Sequence, residues 1–170
     1  MIRLVGALLT AAGGTLLGFM AAGRLARRAE VLRMLASAVE QMDREISFQL
    51  TPMPELMERL AADYPPPVGT LFYNCRRGME ELGDRSMGEI WRQALADTPL
   101  DLEGRENAVL EELGEVLGRF GESGLRSALA RAGAELARAG ELARADGEKR
   151  GRIYRVLGAA SGGLLVILLL

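Results

Sequence analysis

The sequence predicts an all-α protein: an antiparallel bundle of about six helices, flanked by one transmembrane helix at each terminus. Three observations predict it. Hydrophobic residues make up 49% of the 170, yet aromatics only 5%, and Ala, Leu, Glu and Arg dominate; these are strong helix formers. Apolar residues recur at helical spacing through the middle of the chain. Both ends are long uncharged runs.

The first run, Leu4 to Gly23, holds twenty uncharged residues. As a helix it spans about 30 Å, the thickness of a bilayer core. A cleaved signal peptide is the competing reading, with Arg3 as its basic start and Ala21-Ala22-Gly23 as its exit. The run is long for a signal core, Arg24, Arg27 and Arg28 follow at once, and the helical pattern continues through the junction. These features favour a span over residues 4–23.

From there one stripe continues through Leu25, Leu32, Leu35, Val39, Met42 and Ile46, opposite Arg33, Glu40 and Arg44. Thr51-Pro52 ends it, and a second helix starts with Thr51 as N-cap and Pro at the first helical position. "YPPP", Tyr64 to Pro67, halts that helix. A third runs from about Pro67 to Leu82, closed by Gly83. A fourth opens at Ser86 with Glu89 three residues on, a capping box. It carries Ile90, Trp91 and Leu95 and stops near Asp97-Thr98-Pro99. A fifth covers about Leu102 to Leu117, with Val109, Leu110, Leu113 and Val116/Leu117 on one side, before "GRFG" at 118–121.

The last helix runs from Glu122 to the chain end. Gly133, Gly140 and Gly147 recur every seven residues. They share one face, either as a close-packing stripe or as drift in an Ala/Gly/Arg-rich composition. Arg131 with Glu135 and Arg144 with Glu148 stand four apart, as self-paired surface charges do. The uncharged tail, Val156 to Leu170, makes only about 22 Å of helix. Snorkelling by Arg152 and Arg155 and local thinning close the deficit for a second span over 156–170. A buried core helix is the alternative, but a run apolar on every face is left without an obvious cover.

The basic clusters Arg24, Arg27, Arg28 and Lys149, Arg150, Arg152, Arg155 flank the segment 24–155. They place it in the cytoplasm and both termini outside, in a cell membrane. Gly14 and Gly18 in the first span, and Gly158 and Gly162 in the second, stand four apart. That spacing suits helix packing in lipid, between the spans or with a partner subunit.

Nothing here reads as an enzyme. The chain has no His, one Cys, and no Gly-Lys-Ser/Thr phosphate loop. No catalytic, cofactor-binding or metal-binding residue is expected, and a net charge of −2 gives no cause to invoke nucleic acid. Cys75 beside Arg76 and Arg77 is either a packed thiol or one of lowered pKa. Adjacent carboxylates such as Glu80/Glu81 and Glu111/Glu112 face different sides of a helix. Trp91 is read as core. Function therefore falls to a helical surface that binds partners. The candidate partner surface is the Thr51-Pro52 corner with Glu45 and Glu55, together with the "GRFG" corner.

The pieces "GTLLGFMAAGRLARRAEVLRML", "AVEQMDREISFQLTPMPELMERLA", "PPPVGTLF", the lone Trp91, "LGEVLG" and "IYRVLGAASGGLLVILLL" follow one another over nearly the whole chain. In that order they resemble the stage III sporulation protein AB family of endospore-forming bacteria. The departure is at Phe120 to Arg126, where family members tend to carry an acidic residue and glutamines. The family is similar to the cytoplasmic helical domains of the platform protein of type II secretion and type IV pilus systems. The resemblance implies a non-enzymatic platform or scaffold in the mother cell–forespore channel complex during engulfment, in the mother-cell membrane facing the forespore. Its partners would be a secretion-type ATPase, stage III sporulation protein AA, ring-forming channel subunits and membrane lipid. A homo-oligomer is compatible with it. The alternative function is a membrane-tethered helical receptor or sensor that binds a small ligand.

Overall fold

The computed structural model describes residues 2–49, 51–117 and 122–169, with side chains described at 23–48, 51–117, 124–149 and 151. Six α-helices follow in order: α1 (Ile2–Arg44), α2 (Met53–Asp63), α3 (Val68–Gly78), α4 (Met87–Ala96), α5 (Gly104–Leu117) and α6 (Glu122–Leu169). A π-helical turn, Glu45–Gln49, follows α1, and a 3-10 turn, Met79–Glu81, follows α3. Among the described residues there is no strand, only an isolated bridge between Leu82 and Arg85. The all-helical expectation holds.

The chain divides into two compact units, Glu30–Gly140 and the combination of Met1–Ala29 with Glu141–Leu170. The first unit is the bundle. In it α2 packs on α3, α3 on α4 and α4 on α5, as short links between consecutive helices require. The predicted stripe of α1 is its core face: Leu32, Leu35, Val39 and Met42 are at most 1% exposed. Leu25 at the start of the stripe, and Ile46 past the end of α1, are only half-buried. Leu56, Met57 and Leu60 of α2, Leu71, Phe72 and Cys75 of α3, Ile90 and Trp91 of α4, and Leu110 and Leu113 of α5 complete the core. Burying each such side chain stabilises the fold by about 1.5–3 kcal/mol.

Local chemistry sets the helix ends. Tyr64 precedes Pro65, so the α region is closed to it; it turns extended (φ −112°, ψ 136°) and α2 stops. At α4 the capping box is complete: the Glu89 backbone N–H donates to Ser86 Oγ at 3.3 Å, and the Ser86 N–H donates to Glu89 Oε2 at 2.8 Å. The Ser86 hydroxyl also donates to Glu89 Oε2 at 2.8 Å, and the bonds that this carboxylate accepts from the Ser86 backbone and side chain lower its pKa. At α5 the sequence shows no Ser or Thr cap. The buried Glu106 carboxylate takes part of that role, accepting from the Glu103 N–H at 2.9 Å. The third helix ends earlier than expected, at Gly78, and the chain tightens into the 3-10 turn before Gly83 reverses it at φ +121°. Only glycine adopts that φ without strain.

Two glycines of the α6 heptad, Gly133 and Gly147, face α1. A Cβ on Gly133 would lie 3.7 Å from Val39 Cγ1, and one on Gly147 would lie 3.6 Å from Leu25 Cβ. These are ordinary contact distances, so the face is shared but does not demand glycine. Of the two predicted charge pairs on α6, Arg144–Glu148 forms at 3.0 Å. Arg131 instead approaches Glu112 of α5, at 3.9 Å.

The two-span localisation requires correction. Among the described residues no helix is long and apolar enough to cross a membrane. The side-chain-described part of α1 carries Arg24, Arg27, Arg28, Glu30 and Arg33 in its first eleven residues. That of α6 carries Arg or Glu in nearly every turn. Residues 4–23 and 156–169 are helical in backbone, but the side chains of 4–22 and 156–169 lie outside the described residues. The same is true of the packing of Gly14, Gly18, Gly158 and Gly162. Placement of the bundle in the cytoplasm with both termini outside a membrane therefore does not stand.

Candidate functional site

The site is the corner where α1 gives way to α2. After Arg44 the backbone widens into the π turn, a local form that recurs at functional positions. Pro52 has no N–H to donate and fixes its own φ. It takes the N-cap position of α2 at φ −57°, ψ 138°, with no side-chain cap.

Thr51, expected as the cap, is used differently. Its hydroxyl donates to Glu45 Oε2 at 2.7 Å. Glu45 is only 8% exposed, and burying a charge is costly unless it is hydrogen-bonded and paired. Arg59 of α2 supplies the pairing, with Nη1 at 3.4 Å from Glu45 Oε2. Its Nη2 donates to Glu55 Oε1 at 2.7 Å, one turn back on α2. That bond with Glu55, then the charges of Glu55 and Glu45, raise the Arg59 pKa further. Arg59 and Glu55 are both about half exposed, so solvent screens their pair.

Glu45, Thr51 and Glu55 are thus brought together, and Arg59 joins them. The i,i+4 spacing of Glu55 and Arg59 was its visible signal. Pro52 is exposed and sets the backbone without sharing the bonds. Further along, Gln41 Nε2 donates to Asp63 Oδ2 at 2.9 Å, and the Tyr64 hydroxyl donates to Gln41 Oε1 at 3.2 Å. Burial, then the Asp63 charge, raises the Tyr64 pKa. The last turns of α1 therefore lie along α2. Phe48, which sequence reading missed, stands 78% exposed on the π turn. Its signal was phase: it falls off the stripe that ends at Ile46.

The other candidates resolve as follows. Cys75 is fully buried, and desolvation pushes its pKa up to about 12. A thiol so protonated is no nucleophile, so Arg76 and Arg77 do not activate it. Trp91 is core: its indole N–H donates to the Leu110 carbonyl at 2.7 Å, and its ring tilts against Phe72 at 6.1 Å between centroids. A Cβ on Gly114 would fall inside that indole. The lone Trp91 and the "LGEVLG" segment, separate in sequence, are therefore one packing contact. A crevice of about 20 Å³ between α5 and α6, lined by Val109, Leu113, Ala128 and Ala132 with Glu112, Arg131 and Glu135, has room for about one water molecule. The "GRFG" corner lies outside the described residues.

Comparison with known proteins agrees with this architecture. Residues 3–170 match the family model "Stage III sporulation protein AB (spore_III_AB)". The Stage III sporulation protein AB of Bacillus subtilis (strain 168) is 31% identical over 177 residues, covering all of both chains. The solved structure of Stage III sporulation protein AB (SpoIIIAB) superposes with a TM-score of 0.65 at 27% identity, over 71% of this chain and 95% of that one. A match over almost the whole length, with the same bundle, leads to one assignment: the chain belongs to the stage III sporulation protein AB family.

Proposed function

We propose that the chain is a non-enzymatic platform component of the mother cell–forespore channel complex. It links a secretion-type ATPase, stage III sporulation protein AA, to ring-forming channel subunits. The α1–α2 corner, with Glu45, Thr51, Pro52 and Glu55, is the surface it offers the ATPase.

The observation that carries this reading is the division of labour within the bundle. The chain's one thiol and its lone Trp are spent on the core. The corner, by contrast, holds a buried carboxylate in fixed bonds and leaves Pro52, Glu55 and Phe48 in solvent. A prearranged polar surface of that kind suits partner recognition, because little order has to be gained on binding.

Pull-down of the purified full chain with the ATPase, in nucleotide-free, ADP-bound and ATP-bound states, tests it. Retention in at least one state, weakened in a Glu55→Arg variant, is the expected result. No retention in any state would refute the ATPase link.

A further inference from the structure

Residues 40–63 carry six carboxylates (Glu40, Asp43, Glu45, Glu55, Glu58 and Asp63) against two guanidiniums, Arg44 and Arg59. That is a net charge of −4 in 24 residues, whereas the whole chain carries −2. The excess is folded into one region, because the bonds of Glu45 to Thr51 and Arg59, and of Gln41 to Asp63 and Tyr64, lay the end of α1 along α2. Among the described residues, Arg126 of α6 approaches this region, at 3.9 Å from Asp43. Four of the six carboxylate residues, Glu40, Glu55, Glu58 and Asp63, are exposed.

Phe48 stands in this acidic region. It is the most exposed of the large hydrophobic residues described. A single exposed apolar side chain is ordinary. This one, however, sits on a π turn whose first residue, Glu45, is buried and bonded to both Thr51 and Arg59. The turn is therefore held from below while its aromatic ring points away from the core. Exposed aromatics on rigid supports are the side chains that anchor protein interfaces, and surrounding charge selects and steers the partner.

We infer that Phe48 is the anchor of a docking surface for a basic partner: a protein segment that offers an apolar pocket or face flanked by arginine or lysine. This rests on the proposed scaffold role and names the chemistry of the surface that the scaffold presents.

The test uses the purified full chain and a fluorescein-labelled amphipathic helix of leucines and arginines, with the leucine–glutamate counterpart as control. The arginine peptide binds, and added salt weakens it, as screening requires. F48A binds it at least tenfold more weakly while unfolding at the same temperature as the parent chain, and Glu58→Gln lowers affinity by a smaller factor. Equal binding by F48A, or equal binding of the glutamate peptide, would overturn the inference. So would self-association of the parent chain that F48A abolishes while peptide binding stays absent, which would assign the surface to a second copy. The pull-down keeps the two readings apart. If the ATPase binds the parent chain and F48A alike, the anchor fails and the platform stands. If the ATPase binds neither while F48A loses the peptide, the platform fails and the anchor stands.

Discussion

Around Trp91 the bundle is held by apolar fit, and at the α1–α2 corner it is held by charge. The indole of α4 lies against Phe72 of α3 and flush on Gly114 of α5, with its one polar atom bonded to the Leu110 carbonyl. At the corner a buried carboxylate is kept in place by a hydroxyl and a shared guanidinium. The first arrangement gains from every atom removed from water. The second roughly offsets its own desolvation cost, so its net stabilisation is small. The contrast teaches where each kind of sensitivity belongs. Substitutions in the first region should act on folding, and those in the second chiefly on recognition.

The largest expected effect is at Trp91. Trp91→Ala removes the ring that joins three helices and should cost about 3–5 kcal/mol in chemical denaturation. Gly114→Ala should cost about 1–3 kcal/mol, since the new methyl has no room beside a rigid, buried indole. If Gly114→Ala is neutral, the apolar region is looser than this contrast requires. At the corner, Thr51→Val removes one bond to the Glu45 carboxylate and should cost about 1.5 kcal/mol, within the range for hydrogen bonds to charged groups. A cost above that of Gly114→Ala would reverse the assignment of the two regions. The smallest effect has the opposite sign. Gly133→Ala adds a methyl at ordinary contact distance from Val39 and should stabilise by about 1 kcal/mol, which thermal unfolding would register.

Those two glycines also mark what sequence could and could not reveal. Periodicity identified the buried face of α1, and local chemistry identified the capping box at Ser86 and Glu89 and the stop at "YPPP". All of these depend on neighbours within a few residues. The heptad glycines stood out in the sequence, yet Gly133 and Gly147 have space for a methyl. Gly114 drew attention only as part of "LGEVLG", yet it is the one that packing demands. Its partner Trp91 is 23 positions away, beyond what local spacing encodes. The same reason applies to Arg131, which has Glu135 one turn along but approaches Glu112 on another helix. Thr before Pro usually caps a helix; here a buried carboxylate six residues back takes the Thr51 hydroxyl instead. The candidate corner was thus legible as a place, through its Thr-Pro break and its acids. Arg59 and Phe48 left only local signals, spacing and phase, and their place at the corner follows from how the end of α1 meets α2.

The most direct test of this account is the count of heat-resistant spores in a sporulating host whose own copy is replaced by this chain carrying Phe48→Ala and Glu55→Arg. The doubly substituted protein should unfold at the parent temperature and accumulate to the parent level, while spore numbers fall by at least tenfold. Parental spore numbers from that folded, corner-altered protein would contradict the assignment of the α1–α2 corner as the working surface.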